Sequence, residues 1–384
     1  MKLIRTLCKT TVFVTLTIAL LIACSEFDRD APTITSAQLT VPGQYPVGRL
    51  TNVPIADLER QRFFTANVSY PATEAGFDTD LASGQFALLV HSHGFGGNAD
   101  SATGLQTHMA SHGYIVVAPN FPATSSGTGD FSQLDSNDIV NQPGDVSLMI
   151  DAALGLNDNF EGKFSSAVDT NKIVLSGLSF GGLTTQLTAF DRQLRDTRVK
   201  AAAIFAPGSG DAFLPAFYNN ADIPLLFMHG KQDAFIAHDT VANAIVNNAR
   251  SPLHFISLPN GSHTAFSDVL SGVELGVSNV DAFACDFFPN FEGLENVEPP
   301  YVATLRARGP EFGVGTSNIP LPCTFGVENN PAISVELQAE ITRIALLAFM
   351  NAYLNDDRAT TQGYLNFLRS GFAIEQPEVV ITTK

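Results

Sequence analysis

The sequence has no tryptophan, and its 384 residues include only four cysteines and five methionines. Positive charge is scarce: 21 Lys and Arg stand against 38 Asp and Glu, for a formal net charge of −17. A sequence-independent grip on phosphates needs clustered basic side chains, so a nucleic-acid partner is excluded. Charged residues make up only 15% of the chain and hydrophobic ones 45%. That balance excludes a disordered chain and leaves a packed globular protein. The uncharged apolar run at the N-terminus, residues 11–22, is too short to span a bilayer comfortably.

That run suits the central part of a secretory signal, because Lys2, Arg5 and Lys9 precede it. It ends in Leu21-Ile22-Ala23-Cys24, which resembles the lipobox of bacterial lipoproteins. The resemblance implies cleavage before Cys24 and lipidation of its thiol, each buried methylene contributing about 0.8 kcal/mol of membrane affinity. The alternative is an ordinary signal peptide with an incidental Cys24. Ser25 follows, where lipoprotein sorting reads outer membrane if the cell has one. Removing residues 1–23 takes away three basic residues and no acidic one, leaving 361 residues at −20. The expected location is a bacterial membrane, with the body facing the periplasm or the outside. Export implies an oxidising compartment, where Cys285 and Cys323 can pair; otherwise they are two buried thiols.

Residues 24–45 are polar and Pro-bearing and read as a tether ahead of one domain over 46–384. Short apolar runs recur at Arg62 to Tyr70, Phe86 to His91, Tyr114 to Ala118, Lys172 to Leu175, Val199 to Phe205, Ile223 to His229 and Leu253 to Leu258. Such runs suit strands buried on both faces. Helical patterns lie among them: Ser101 to His112 before Gly113, Val146 to Leu156, a face of Leu183, Leu187 and Phe190, and Leu337, Ile341, Ile344 and Ala348 behind Ser334 as N-cap. The alternation predicts an α/β fold, a mostly parallel doubly wound sheet flanked by helices. Residues 121–142 read as a long loop. Residues 267–332, rich in Gly, Pro and Phe, read as an insertion covering the domain, closed by a Cys285–Cys323 disulfide.

Gly177-Leu178-Ser179-Phe180-Gly181 follows a strand and opens a helix, the context of a nucleophile elbow. The flanking glycines avoid clashes that a Cβ would create, and the helix N-terminus favours a developing anion. A serine hydroxyl needs a base, and the base an orienting carboxylate. Asp233 follows the strand ending at His229 through Gly230-Lys231-Gln232; the alternative is a solvated turn aspartate. Of the histidines beyond it, His238 is only five residues on and His254 lies within a strand, whereas His263 occupies the loop past the last strand. His263 is the expected base. His91-Ser92-His93-Gly94-Phe95-Gly96-Gly97 would form the oxyanion loop, the N–H groups of Phe95 and Phe180 meeting at the substrate oxygen. His91 and His93 lack the H-E-x-x-H pattern or third ligand of a metal site, so no metal and no organic cofactor is expected. His93 reads as a loop-shaping hydrogen-bond donor.

These residues, with Val68-Ser69-Tyr70-Pro71-Ala72 and Ser111-His112-Gly113-Tyr114, give the chain its resemblance to serine α/β-hydrolases of the platelet-activating-factor acetylhydrolase and dienelactone-hydrolase-like type. The resemblance covers roughly 45–265 and the helix at 334–354. It implies an α/β-hydrolase fold, a Ser179–Asp233–His263 triad and an oxyanion hole at Phe95 and Phe180. Leu178 stands where acetylhydrolases of that family usually have His, and Ser179 where dienelactone hydrolases have Cys. The 267–332 insertion has no counterpart there. The expected function is a lipid-anchored serine esterase acting on small-molecule or lipid esters, with Phe283, Phe287, Phe288 and Phe291 lining an acyl pocket or filling ordinary core. The alternatives are a polyester hydrolase, weakened by the missing tryptophan, an amidase or peptidase, and a non-catalytic surface binding lipoprotein. The sequence carries no signature of oligomeric state.

Overall fold

The computed structural model describes residues 31–126, 133–250, 252–286, 298–317, 321–324 and 326–384. The signal segment 1–23, Cys24, Ser25, Phe287, Phe288 and Phe291 lie outside the described residues. Among those described, no helix is long and apolar enough to cross a membrane.

The seven apolar runs become strands, and with three others they give ten among the described residues: β1 (Val47–Asp57), β2 (Arg62–Pro71), β3 (Gly76–Phe77), β4 (Phe86–Ser92), β5 (Tyr114–Asn120), β6 (Val168–Leu178), β7 (Ala201–Phe205), β8 (Leu225–Gly230), β9 (Leu253–Leu258) and β10 (Val380–Thr383). They make one sheet in the order β10-β9-β8-β7-β6-β4-β5-β2-β1-β3. The strands from β5 across to β9 run parallel, while β2 on one side and β10 on the other pair antiparallel. The expected mostly parallel sheet is therefore observed.

Side chains alternate across a strand, so each central run feeds two cores. Leu89, Val116, Val174, Ala203 and Leu226 pack with the helices Thr103–Ser111 and Val335–Leu354. Leu88, Val117 and Ile173 meet the helix Gln142–Ala153, and Ile204 and Phe227 meet the helices Phe180–Phe190 and His238–Asn248. Each fully buried Leu, Ile or Phe contributes roughly 1.5–3 kcal/mol, which is why uninterrupted apolar runs become central strands. Ser334 caps the long helix, its hydroxyl accepting the Leu337 N–H at 3.2 Å.

The structure departs from the expected pattern at both ends. The tether reading fails over residues 35–40: Ser36–Thr40 forms a short helix on the body, with reciprocal capping by Thr35 and Gln38 and with Leu39 buried against the long helix. At the C-terminus β10 extends the sheet beside β9, and Arg358–Asn366 forms a further helix. The helix expected from Val146 begins at Gln142, because Pro143 is well tolerated in a first turn.

The insertion contains the helices Val280–Cys285 and Pro300–Arg306, and the Cys285–Cys323 disulfide closes it. Polar ties hold it to the body. Arg308 pairs with the buried Asp191, and the Asn279 side chain donates to the Gln232 carbonyl at 2.9 Å.

Candidate active site

The carboxyl ends of the parallel strands meet along one rim of the sheet, and Phe95, Ser179, Phe180, Asp233 and His263 each follow such an end. Ser92 at the end of β4 pairs with Gly177 of β6, and Leu178 pairs with Phe205 of β7. Ser179, the next residue, has φ 56° and ψ −117°. A non-glycine residue held there costs of order 1–3 kcal/mol, a strain the surroundings must fix. The Ser179 N–H donates to the Phe205 carbonyl at 2.8 Å, and its carbonyl accepts the Gly208 N–H at 2.9 Å. The flanking glycines have a steric reason: a Cβ at Gly177 would lie 2.1 Å from the Gly181 carbonyl oxygen, and one at Gly181 would lie 2.1 Å from that of Ser92. The elbow is thus locked against the end of β4.

Asp233 lies in the turn after β8 and is buried. Its Oδ1 accepts the N–H groups of Phe235 (2.8 Å) and Ile236 (2.7 Å). Its Oδ2 lies 2.8 Å from His263 Nδ1 and 3.1 Å from His229 Nε2. Burial alone would push this carboxyl up, but the charge of His263 and the hydrogen bonds of both imidazoles hold it far below the usual carboxylate range. An ionised carboxylate can only accept, so His263 carries its proton on Nδ1 and keeps the Nε2 lone pair free. Burial tends to lower the pKa of His263, but the charge and hydrogen bond of Asp233, with a smaller contribution from Asp281, raise it above the ordinary histidine value. Asp233 and His263 are therefore brought together. Among the described residues no hydrogen bond joins Ser179 to His263; such bonds are often long without substrate and tighten in the Michaelis complex.

The loop after β4 packs on the elbow, where a Cβ on Gly94 would lie 3.3 Å from that of Ser179. The rings of Phe95 and Phe180 meet edge to face at 5.5 Å, so the two residues are neighbours beside Ser179. Neither backbone N–H is engaged by another described residue, and that of Phe180 is one of the free donors at the start of its helix. His93 holds the loop in shape: its Nδ1 donates to the Gly94 carbonyl at 2.7 Å, while its Nε2 accepts the Phe121 N–H at 3.2 Å. Burial lowers His93 to about 4, keeping it neutral. His91 is likewise lowered to about 4, by burial and by His93, and its Nδ1 lies 2.8 Å from Ser176 Oγ.

Three residues of the site have no counterpart among the expected ones. His229, on β8 itself, is a second imidazole on Asp233, and its Nδ1 is buried with no partner among the described residues. Tyr301, from the insertion, sets its ring 5.3 Å from that of Phe180 and donates to the Gly208 carbonyl at 2.7 Å. Asp281, also from the insertion, accepts backbone N–H groups from both the Asp233 turn and the His263 loop. His229 ends a recognisable strand, four residues before Asp233, and that spacing could have drawn attention to it. Tyr301 and Asp281 lie in aperiodic sequence and had no signal.

Residues 65–207 match the family model described as Chlorophyllase. That family is related to α/β-hydrolases and to esterases of the platelet-activating-factor acetylhydrolase type, so the match points to an ester hydrolase built on this fold. It runs from β2 to just past β7, taking in the loop after β4 and Ser179 but stopping short of Asp233, His263 and the insertion. No curated protein matches the chain.

Proposed function

We propose that the protein is a serine carboxylic ester hydrolase working through Ser179, His263 and Asp233 on apolar or lipid-type esters. The observation that carries this reading is the rim itself: a strained serine at a helix N-terminus, flanked by two N–H groups that have no partner among the described residues, shares the strand ends with a buried Asp–His pair. Ser179 Oγ attacks the ester carbonyl carbon while its proton passes to His263 Nε2. The carbonyl oxygen becomes an oxyanion and accepts from Phe95 and Phe180, each donor contributing roughly 2.7–4 kcal/mol in the transition state. When the C–O bond breaks, His263 returns the proton to the departing alkoxide. Water then attacks the acyl-enzyme by the same route and releases the acid and free Ser179. Asp233 holds the imidazole in the tautomer that keeps Nε2 basic.

On this reading the body is exported and held at a membrane by lipid on Cys24. The disulfide supports an oxidising compartment. A fluorophosphonate probe should label the protein, and Ser179→Ala should abolish the labelling. Labelling that persists in the variant would sink the assignment.

A further inference from the structure

We infer that Asp281 is a positioning residue of this reaction centre: the insertion carries a second buried carboxylate that fastens the acid turn to the base loop. The inference rests on the ester-hydrolase reading. Asn279 caps the helix Val280–Cys285, its side chain accepting the Asp281 N–H at 3.0 Å, and this sets the Asp281 side chain toward the rim. Asp281 Oδ2 accepts the Ala234 N–H at 3.0 Å and the His263 N–H at 2.8 Å, and Oδ1 accepts the Thr264 N–H at 2.8 Å. Ala234 adjoins the catalytic acid, and His263 is the base. One carboxylate therefore joins the backbones of two loops that follow different strands.

A loop N–H buried without an acceptor is costly, so the three donors and the carboxylate depend on one another. Each of these contacts presents a donor to Asp281, which suits acceptor lone pairs on both oxygens. Burial and the nearby Asp233 charge raise its pKa above the usual carboxylate value, while His263 and the backbone donors act against them. The same insertion grips Ala234 from its other side, where the Cys323 N–H donates to the Ala234 carbonyl at 2.6 Å. The disulfide joins Cys323 back to the helix that carries Asp281. The base loop has further braces: the Gln338 side chain accepts from the Ser262 N–H at 2.9 Å and donates to the Ser262 carbonyl at 2.7 Å. Gln232 of the acid turn donates its N–H to the Gly261 carbonyl at 2.8 Å and its side chain to the Pro259 carbonyl at 3.0 Å.

The charged and titratable groups acting on His263 are Asp233 from the acid turn and Asp281 from the insertion, with His229 on the far side of Asp233. Phe235 adds an apolar ring 5.1 Å from the imidazole. A negative charge at Asp281 favours the imidazolium that forms during turnover. Its loss makes His263 a weaker base, a change that a purely structural brace would not produce.

The test is Asp281→Asn in the full chain, assayed on a p-nitrophenyl ester across pH. The expected result is a fall in kcat on the order of 10–100-fold with KM nearly unchanged, since a small misplacement of the base is costly. The acidic limb of the rate profile should also move to lower pH. A folded variant with wild-type kcat and an unmoved limb overturns the inference. If the variant does not fold, amide exchange of the wild-type protein decides: the N–H groups of Ala234, His263 and Thr264 should be protected like sheet amides, and exchange at open-loop rates overturns it. A wild-type protein that neither turns over ester nor takes the fluorophosphonate label refutes the ester-hydrolase reading instead, while the exchange result still judges the brace.

Discussion

Replacing Cys285 and Cys323 with serine tests how the insertion is held, and the size of the effect can be worked from the chain. The two cysteines are 38 residues apart. In the chain-entropy account, a crosslink closing a loop of that length lowers the entropy of the unfolded chain by about 13 cal/mol/K, or about 4 kcal/mol at 25 °C. A domain is stable by only about 5–15 kcal/mol, so the loss is a large share of the total. Unfolding in urea, followed by circular dichroism, should show the double variant less stable by that amount. Its m-value should be no smaller, because the freed chain exposes at least as much surface. Both cysteines lie against the core that holds Phe180 and Phe235, so the difference should appear in the main transition. Turnover should fall too, since the Cys323 N–H no longer has a fixed place against the Ala234 carbonyl. A stability loss below about 1 kcal/mol, at unchanged m-value, would refute the reasoning.

The pH dependence follows from the signs at the Asp–His pair. His263 must be neutral to take the serine proton, and Asp233 and Asp281 raise its pKa, so the rate should climb with pH through a midpoint above the ordinary value of about 6.5. The same raised pKa stabilises the fold below that ordinary value, and this contribution is lost as pH rises through the folded pKa; a flat rate from about pH 5 to pH 9 refutes His263 as the base. Gly181→Ala puts a Cβ 2.1 Å from the Ser92 carbonyl oxygen, a backbone atom in the sheet, so the elbow has to shift away from β4. Fluorophosphonate labelling of this variant should slow by on the order of 100-fold while sheet dichroism is retained, and a wild-type labelling rate would show that the elbow does not need this close approach.

The parts of the molecule that could be read from sequence are those whose signal is local. A central parallel strand must be apolar on both faces, so β4, β7, β8 and β9 appear as unbroken runs. The elbow is legible because its backbone leaves no room for a Cβ at Gly177 or Gly181. Asp233 and His263 could be chosen because each follows the C-terminal end of a recognisable apolar strand, β8 and β9. What escaped depends on distant partners. β10 is four half-polar residues whose pairing partner, β9, lies more than 120 positions earlier. The helix Ser36–Thr40 is too short to show a period, and it exists because Leu39 finds the long helix. Asp281 bonds only to backbone, so no residue type elsewhere in the chain announces it.

The match to a known family and the structure of the insertion divide the site along the same line. The matched segment ends at residue 207 and carries Ser179 and the loop after β4, both shaped by backbone crowding between β4 and β6. Asp233 and His263 come after it, on turns that follow two separate strands and crowd each other in the same way: a Cβ at Gly230 would lie 2.2 Å from the Gly261 carbonyl oxygen, which accepts the Gln232 N–H at 2.8 Å. Side chains add to that backbone contact: Asp233 binds its own turn, Gln338 holds Ser262, and Asp281 spans both loops. Tyr301 brings the same insertion over to Phe180 on the nucleophile side. A cover that only shielded the pocket would need neither contact. The insertion touches both halves of the site at backbone groups next to Ser179, Asp233 and His263, and on the proposed reading its role is to hold the Asp–His pair in register with the elbow.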